Sequence, residues 1–432
     1  MHIEPLSSYL NMPEKKEFIL SPFQQDVFKA QEISQKAPGT VVEDFIKLLD
    51  FIGDTGVPVS KAKKHFPMAQ LPEINSQLTH PLKINLKRPA QKSYPHINAL
   101  YLLVRASGLG TIASKGKKNR LVLDNNMLEL WGNLTLADRY FSLLEAWWCR
   151  GRDEIIGERE GRGVFDPLLR CLDFVIKMPK NRVKISENKQ EEGRLKYLPG
   201  HHSLALLELF GFIDIQSSEP DRGQGWRIEN ITPTDWGKAV LESAREVTQQ
   251  KLDLLLLDTS IDKIKVASFE LWRTTVQPYF TDWNTVLTPP QAPFQQGAHV
   301  FKVSIGKVWR KIAVSGDSDF EVLAQEILKA FEFYNDHLYQ FICNDHYGLK
   351  RHINHPSLDL GEGAPCTDEV RLGELSFFPG MEMTFFFDFG DCWEFLVVVE
   401  EIDSNKIDES EPVIIERHGK APEQYPDYDD LY

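Results

Sequence analysis

Late in the chain, five carboxylates and two histidines raise the first chemical question. Asp388, Asp391, Glu394, Glu423 and Asp427, with His337 or His418, are side chains that can gather around Mg²⁺ or Mn²⁺. Hard cations take carboxylate oxygens, and a bound metal can activate water against a phosphodiester. The competing reading is structural. Asp388 and Asp391 flank Gly390, a spacing at which Asp bonds its own backbone in a turn, and Glu423 to Asp430 reads as an acidic tail. The other chemical candidates are weaker. His201 and His202 are adjacent, so on a helix they point about 100° apart, and no third histidine or i,i+4 carboxylate joins them. Cys343 lies near His337 and His346 but in an apolar stretch, which makes it a core residue. Trp147-Trp148, beside Leu143 and Leu144, also reads as core rather than as a base-stacking pair. The D-F-G triplet at Asp388 comes without a catalytic H-R-D, and there is no G-x-S-x-G and no P-loop spacing. No cofactor and no catalytic residue is assigned on these grounds, and the metal question stays open.

Basic residues pose a second question. Residues 61–120 hold 12 Lys and Arg against one acid, Glu73. Lys61, Lys63, Lys64, Lys115, Lys117, Lys118 and Arg120 are the candidate nucleic-acid contacts within it. Each neutralised phosphate releases counterions, so local basic density matters more than the overall charge of -14. Residues 300–432, by contrast, carry 11 basic and 27 acidic side chains. That asymmetry suits a polyanion-facing part joined to an acidic part that recruits a protein partner or mimics DNA charge. A basic face that docks onto the acidic half is the alternative.

The elements that must position these residues fall into three stretches. Apolar spacing from Val41 to Ile52 predicts a helix stopped by Gly53. Ser60 to Phe66 is expected as a short capped helix and Pro72 to Leu78 as another. Two segments then repeat one order. Ala99–Gly110 precedes a Lys/Gly turn and Leu121-Val122-Leu123, and Ser203–Ile215 precedes a Gly/Pro turn and Trp226-Arg227-Ile228. Helix, glycine, strand, hairpin, strand resembles the end of a winged-helix domain, which implies two such units at about 40–130 and 195–283. Lys115 to Arg120 then sit in the first wing, where they would position the protein on phosphates without reading bases. Leu287 to Gly297 is rich in Pro and Gln, so 284–297 is expected as a linker. From Ala298 onward, strands at 300–305 and 308–314, a helix at 320–331 and a hairpin within 383–399 predict an α+β sheet domain.

That last stretch carries a resemblance. Val308-Trp309-Arg310-Lys311-Ile312, Asn335-Asp336-His337-Leu338 with Phe341, Asp388-Phe389-Gly390-Asp391 with Trp393, and Ala421-Pro422-Glu423 follow in order over residues 298–432. They resemble the plasmid pRiA4b ORF-3-like family. The family's usual tail is a Pro-Pro-Glu-Asp-Cys-Gly-Gly run, and here Lys420-Ala421-Pro422-Glu423-Gln424-Tyr425 stands instead. The resemblance implies a fold, a mobile-element neighbourhood and motif positions at Trp309, Arg310, His337, Asp388, Gly390, Asp391, Trp393 and Glu423. It implies no reaction.

The composition bounds what remains. At 432 residues, with 42% hydrophobic and 26% charged, the chain is an ordinary globular α+β protein of several domains. No apolar run reaches the ~18 residues of a membrane span, and the opening Met1-His2-Ile3-Glu4-Pro5 lacks a signal-peptide pattern. Scattered, odd-numbered cysteines without C-x-x-C argue against disulfide and zinc scaffolds, which leaves a reduced, cytoplasmic protein as the expectation. The sequence thus reads as a non-enzymatic nucleic-acid-associated protein with DNA the candidate partner of residues 61–120. A metal-dependent nuclease using the C-terminal acids and a protein-interaction adaptor are the alternatives.

Overall fold

Residues 18–115, 118–158, 167–179, 183–185, 189–254, 261–288, 293–344, 350–358, 364–403 and 411–425 are described by the computed structural model. The chain begins with α1 (Pro22–Ala30), whose start is fixed by a capping box between Ser21 and Gln24. α2 (Val41–Ile52) buries the predicted stripe and ends at Gly53, whose φ of 58° suits only a residue without Cβ. β1 (Val57–Val59), α3 (Leu71–Gln77) and α4 (Pro95–Ala106) follow, then the hairpin β2 (Gly110–Lys115) and β3 (Lys118–Leu123). β1 pairs with β3, so the strands lie in the order β1-β3-β2. α5 (Asn125–Gly132) and α6 (Leu136–Arg150) lead on, the latter capped by Thr135 and Asp138.

The same order then recurs. α7 (Pro167–Ile176), β4 (Val183–Lys184), α8 (Lys189–Leu195) and α9 (His201–Leu209) precede the hairpin β5 (Ile213–Ser218) and β6 (Arg227–Pro233), with strand order β4-β6-β5. α10 (Asp235–Leu254) and α11 (Ile261–Val276) pack against each other. One apolar core runs from Leu20 to Leu287 and includes Trp147, Trp148, Trp236, Trp272 and Trp283. The tryptophan pair is thus buried, as its apolar neighbours predict.

A second, separate core starts at Phe301. β7 (Ala298–Ile305), β8 (Val308–Ser315), α12 (Phe320–Ala330), β9 (Tyr339–Asn344), β10 (Lys350–Asn354), β11 (Glu382–Phe387), β12 (Trp393–Asp403) and β13 (Val413–His418) form it. The seven strands are antiparallel in the order β10-β9-β11-β12-β7-β8-β13. Strict alternation puts Phe301, Val303, Ile312, Val314, Phe395 and Val397 beneath the apolar stripe of α12. The architecture is α+β, as expected.

Two local expectations change. Ser60–Phe66 is a turn, not a helix: Ser60 N donates to the His65 carbonyl at 2.8 Å, and Lys64 takes a left-handed φ of 59°. Of the expected linker 284–297, the near end is anchored to α6. Asn284 and Thr285 donate to Asp138 Oδ1 at 2.6 and 2.9 Å, and Leu287 N to Ser142 Oγ at 2.7 Å. The far end is anchored by Gln295 N on the Gly373 carbonyl at 2.8 Å, and residues 289–292 lie outside the described residues.

Candidate functional site

The basic residues come together through two tertiary links. Val59 of β1 pairs with Asn119 of β3, which sets the 60–65 turn beside the β2–β3 hairpin tip. Phe66 N donates to Gln91 Oε1 at 2.9 Å and brings the segment before α4 to the same turn. Lys61, Lys63, Lys92 and Lys118 are exposed, and among the described residues no carboxylate pairs with them. Lys64 is half-buried, and its carbonyl accepts the Tyr101 hydroxyl at 2.7 Å. His65 lies between these cations. Burial holds its imidazole below the usual value, its bond to the Ile156 carbonyl opposes that, and the charges of Lys63 and Lys92 add to the depression. Arg120 is engaged elsewhere, donating to the Thr55 and Gly56 carbonyls at 3.0 and 2.5 Å. Lys115 pairs with Lys118 across the hairpin, and Lys117 lies outside the described residues. Lys92 was not among the candidate contacts; the bond between Phe66 and its neighbour Gln91 is what brings it to this surface.

The helix before the hairpin, α4, is not free to enter a groove. Every residue of α4 is buried, and α4 packs against α9, its counterpart in the second unit. Nor is the second hairpin free. Asn85 N donates to the Gln224 carbonyl at 3.0 Å, Gly223 N to the Asn85 carbonyl at 2.8 Å, and Lys83 pairs with Glu219.

In the C-terminal domain the motif residues mostly hold the fold. Arg310 is buried and donates to the carbonyls of Ala330, Trp309, His418 and Gly419 at 2.9 to 3.2 Å. Trp309 stacks on His418, with Lys302 over its ring at 4.6 Å. Asp388, at a left-handed φ of 58°, accepts from Gly390 N and Asp391 N at 2.8 and 3.3 Å, the expected Asp turn. Trp393 meets Phe333 edge-on. Asp391, Glu394 and Glu423 are exposed, and Asp427 lies outside the described residues. Among the described residues no three His, Cys, Asp or Glu side chains form a metal-ligand group.

His337 belongs to a cluster with three residues outside the motif assignment. Its Nε2 is 3.1 Å from the Tyr425 hydroxyl and 3.5 Å from Asp388 Oδ2. Tyr425 donates to Asp336 Oδ2 at 2.6 Å, and Gln424 Nε2 donates to Asp336 Oδ1 at 3.0 Å. The Tyr425 bond keeps the Asp336 carboxyl below its usual range, and the same bond pushes the Tyr425 hydroxyl up to about 12. Gln424 and Tyr425 stand where the family's usual tail differs, so the departure itself was the available signal.

Among the described residues, His201 and His202 share no hydrogen-bond partner. His202 Nε2 is 3.0 Å from Asp153 Oδ1 and 3.3 Å from Ser203 Oγ. A Ser-His-Asp relay needs the two partners on opposite ring nitrogens, and here they share one. Arg170 also pairs with Asp153, at 2.7 Å.

No curated protein matches the chain. The crystal structure of the protein of unknown function MM3350 from Methanosarcina mazei Go1 is similar at 23% identity, over 28% of this chain and 70% of that one, with a TM-score of 0.26. The family model described as plasmid pRiA4b ORF-3-like protein matches residues 301–427. The sheet domain that holds Arg310, His337 and the Asp388 turn is therefore a pRiA4b ORF-3-like domain, joined here to a helical N-terminal region.

Proposed function

We propose that the chain is a non-enzymatic nucleic-acid-binding protein that grips the sugar-phosphate backbone through its N-terminal region. The carrying observation is the convergence of Lys61, Lys63, Lys92 and Lys118 from three segments onto one exposed surface with no carboxylate partner among the described residues. The two repeated units, each helix-strand-helix-helix-hairpin with the first strand against the third, support a winged-helix reading. In that reading α4 and α9 stand where a groove-reading helix would, and their mutual burial leaves only turn and wing to touch the ligand. Contact of that kind positions without specifying, so affinity should be indifferent to base sequence.

Fluorescence anisotropy with two unrelated labelled duplexes over a salt series tests this. The full chain should bind both equally. Each of Lys61→Glu, Lys63→Glu, Lys92→Glu and Lys118→Glu should lower the log-log salt slope by about 1 or more. Absence of binding at low salt, or slopes unmoved by all four reversals, would sink the proposal.

A further inference from the structure

A cleft of about 820 Å³ opens between the two N-terminal units, within the ~300–1,000 Å³ range of small-molecule sites. Its charges are sorted by unit. The basic lining residues, including Lys36, His80 and His96, come from the first; the acidic ones, including Glu208, Asp214 and Glu229, come from the second. Two links cross it. His96, 4% exposed, meets Glu208 through Nε2 at 2.7 Å, and Lys83 meets Glu219 at the rim. Between those links the walls face each other unneutralised. Lys36 reaches only Glu43, at 3.9 Å, and Asp214 and Glu229 have no ion-pair partner among the described residues. Trp226, edge-on to His96 at 5.2 Å, and Leu82 and Ile213 supply apolar surface.

A simple anion drawn to Lys36 and His80 would confront the opposite carboxylates, and a simple cation would meet the reverse. A ligand with both charges, separated, satisfies both walls. We propose that this cleft binds a small zwitterion of the class of free amino acids and short peptides, its carboxylate toward Lys36 and His80 and its ammonium toward Asp214 and Glu229. Burial, and after it the neighbouring Glu208 carboxylate, raise the Asp214 carboxyl above its ordinary value, in keeping with a wall short of positive charge. The inference stands apart from the nucleic-acid reading, since the cleft and the basic surface are lined by different residues.

Thermal unfolding of the full chain, followed by tryptophan fluorescence, tests it with the proteinogenic L-amino acids and a set of tripeptides at millimolar concentration. At least one free zwitterion should raise the Tm by about 2–4 °C near saturation. N-acetylation or C-amidation of that ligand should each remove the shift. Asp214→Asn should make N-acetylation inconsequential, and Lys36→Gln should do the same for C-amidation; both positions are solvent-facing enough to leave the unliganded Tm nearly unchanged. No shift from any member of the set, equal shifts from blocked and free peptides, or shifts indifferent to both substitutions would overturn the proposal.

Discussion

Arg310 is surrounded by carbonyl oxygens, with the Phe331 ring beneath its guanidinium at 4.9 Å. A residue of the family motif thus serves as a buried clamp between the end of α12 and the 418–419 turn. Arg310→Ala should lower stability of this domain by about 3 kcal/mol, because several carbonyls lose a charged donor at once; the urea midpoint checks it. Asp388→Asn should cost less than about 1 kcal/mol, since Asn tolerates a left-handed backbone and keeps an acceptor, whereas Asp388→Ala loses both. The Tyr425–Asp336 latch has a defined pH window. Ionised Asp336 is favoured in the fold, so that contribution is present above its ordinary value of 3.8 and lost as pH falls through its lowered one. The Tyr425 hydroxyl, raised to about 12 from 10.0, contributes below 10 and is lost as pH rises toward 12. The ultraviolet titration assigned to Tyr425 by difference from Tyr425→Phe should move back toward 10 in Asp336→Asn. His337 and Asp388 were legible as motif positions, but their meeting with Asp336, Gln424 and Tyr425 was not. His337 and Tyr425 are 88 positions apart, and only the closed fold makes them neighbours.

Between the elements, the turn after α9 comes close against the segment before α2. Gly211 has a φ of 73°, and a Cβ there would lie 2.1 Å from the Pro38 carbonyl oxygen. Gly211→Ala should therefore cost about 3 kcal/mol or more. Gly223→Ala, also at positive φ but with open space around it, should cost only about 1–2 kcal/mol; thermal unfolding of both variants separates backbone strain from collision. The elements themselves were largely readable. α2 starts and stops where Val41, Phe45, Leu48 and Gly53 put it, because helical spacing and a glycine stop are local signals. Strands β7 and β8 announce themselves by alternation. The 60–66 turn escaped because its lysines carry no apolar period, and the Tyr101 hydroxyl that holds it arrives from another helix. The repeated apolar stretches revealed that α4 and α9 are buried, but not that they are buried against each other.

At the scale of the whole molecule, two apolar cores share one chain. Trp272, fully buried in the first, and Phe385, fully buried in the second, report on them separately. Each alanine substitution should remove about 3–5 kcal/mol from its own core. Calorimetry of the full chain should show two transitions, with Trp272→Ala lowering one and Phe385→Ala the other. One transition lowered by both would mean that the cores melt as a unit. The strand order of the C-terminal sheet has a consequence for synthesis. β7 and β8 are translated together, yet their outer neighbours β12 and β13 follow only roughly a hundred residues later. At a ribosomal pace of about 5–20 residues per second, the young hairpin waits some seconds with both edges unpaired, and of its final neighbours only α12, translated directly after β8, is at hand to cover Phe301, Val303, Ile312 and Val314. During that interval the nascent chain, rather than the finished protein, is the species in need of a chaperone.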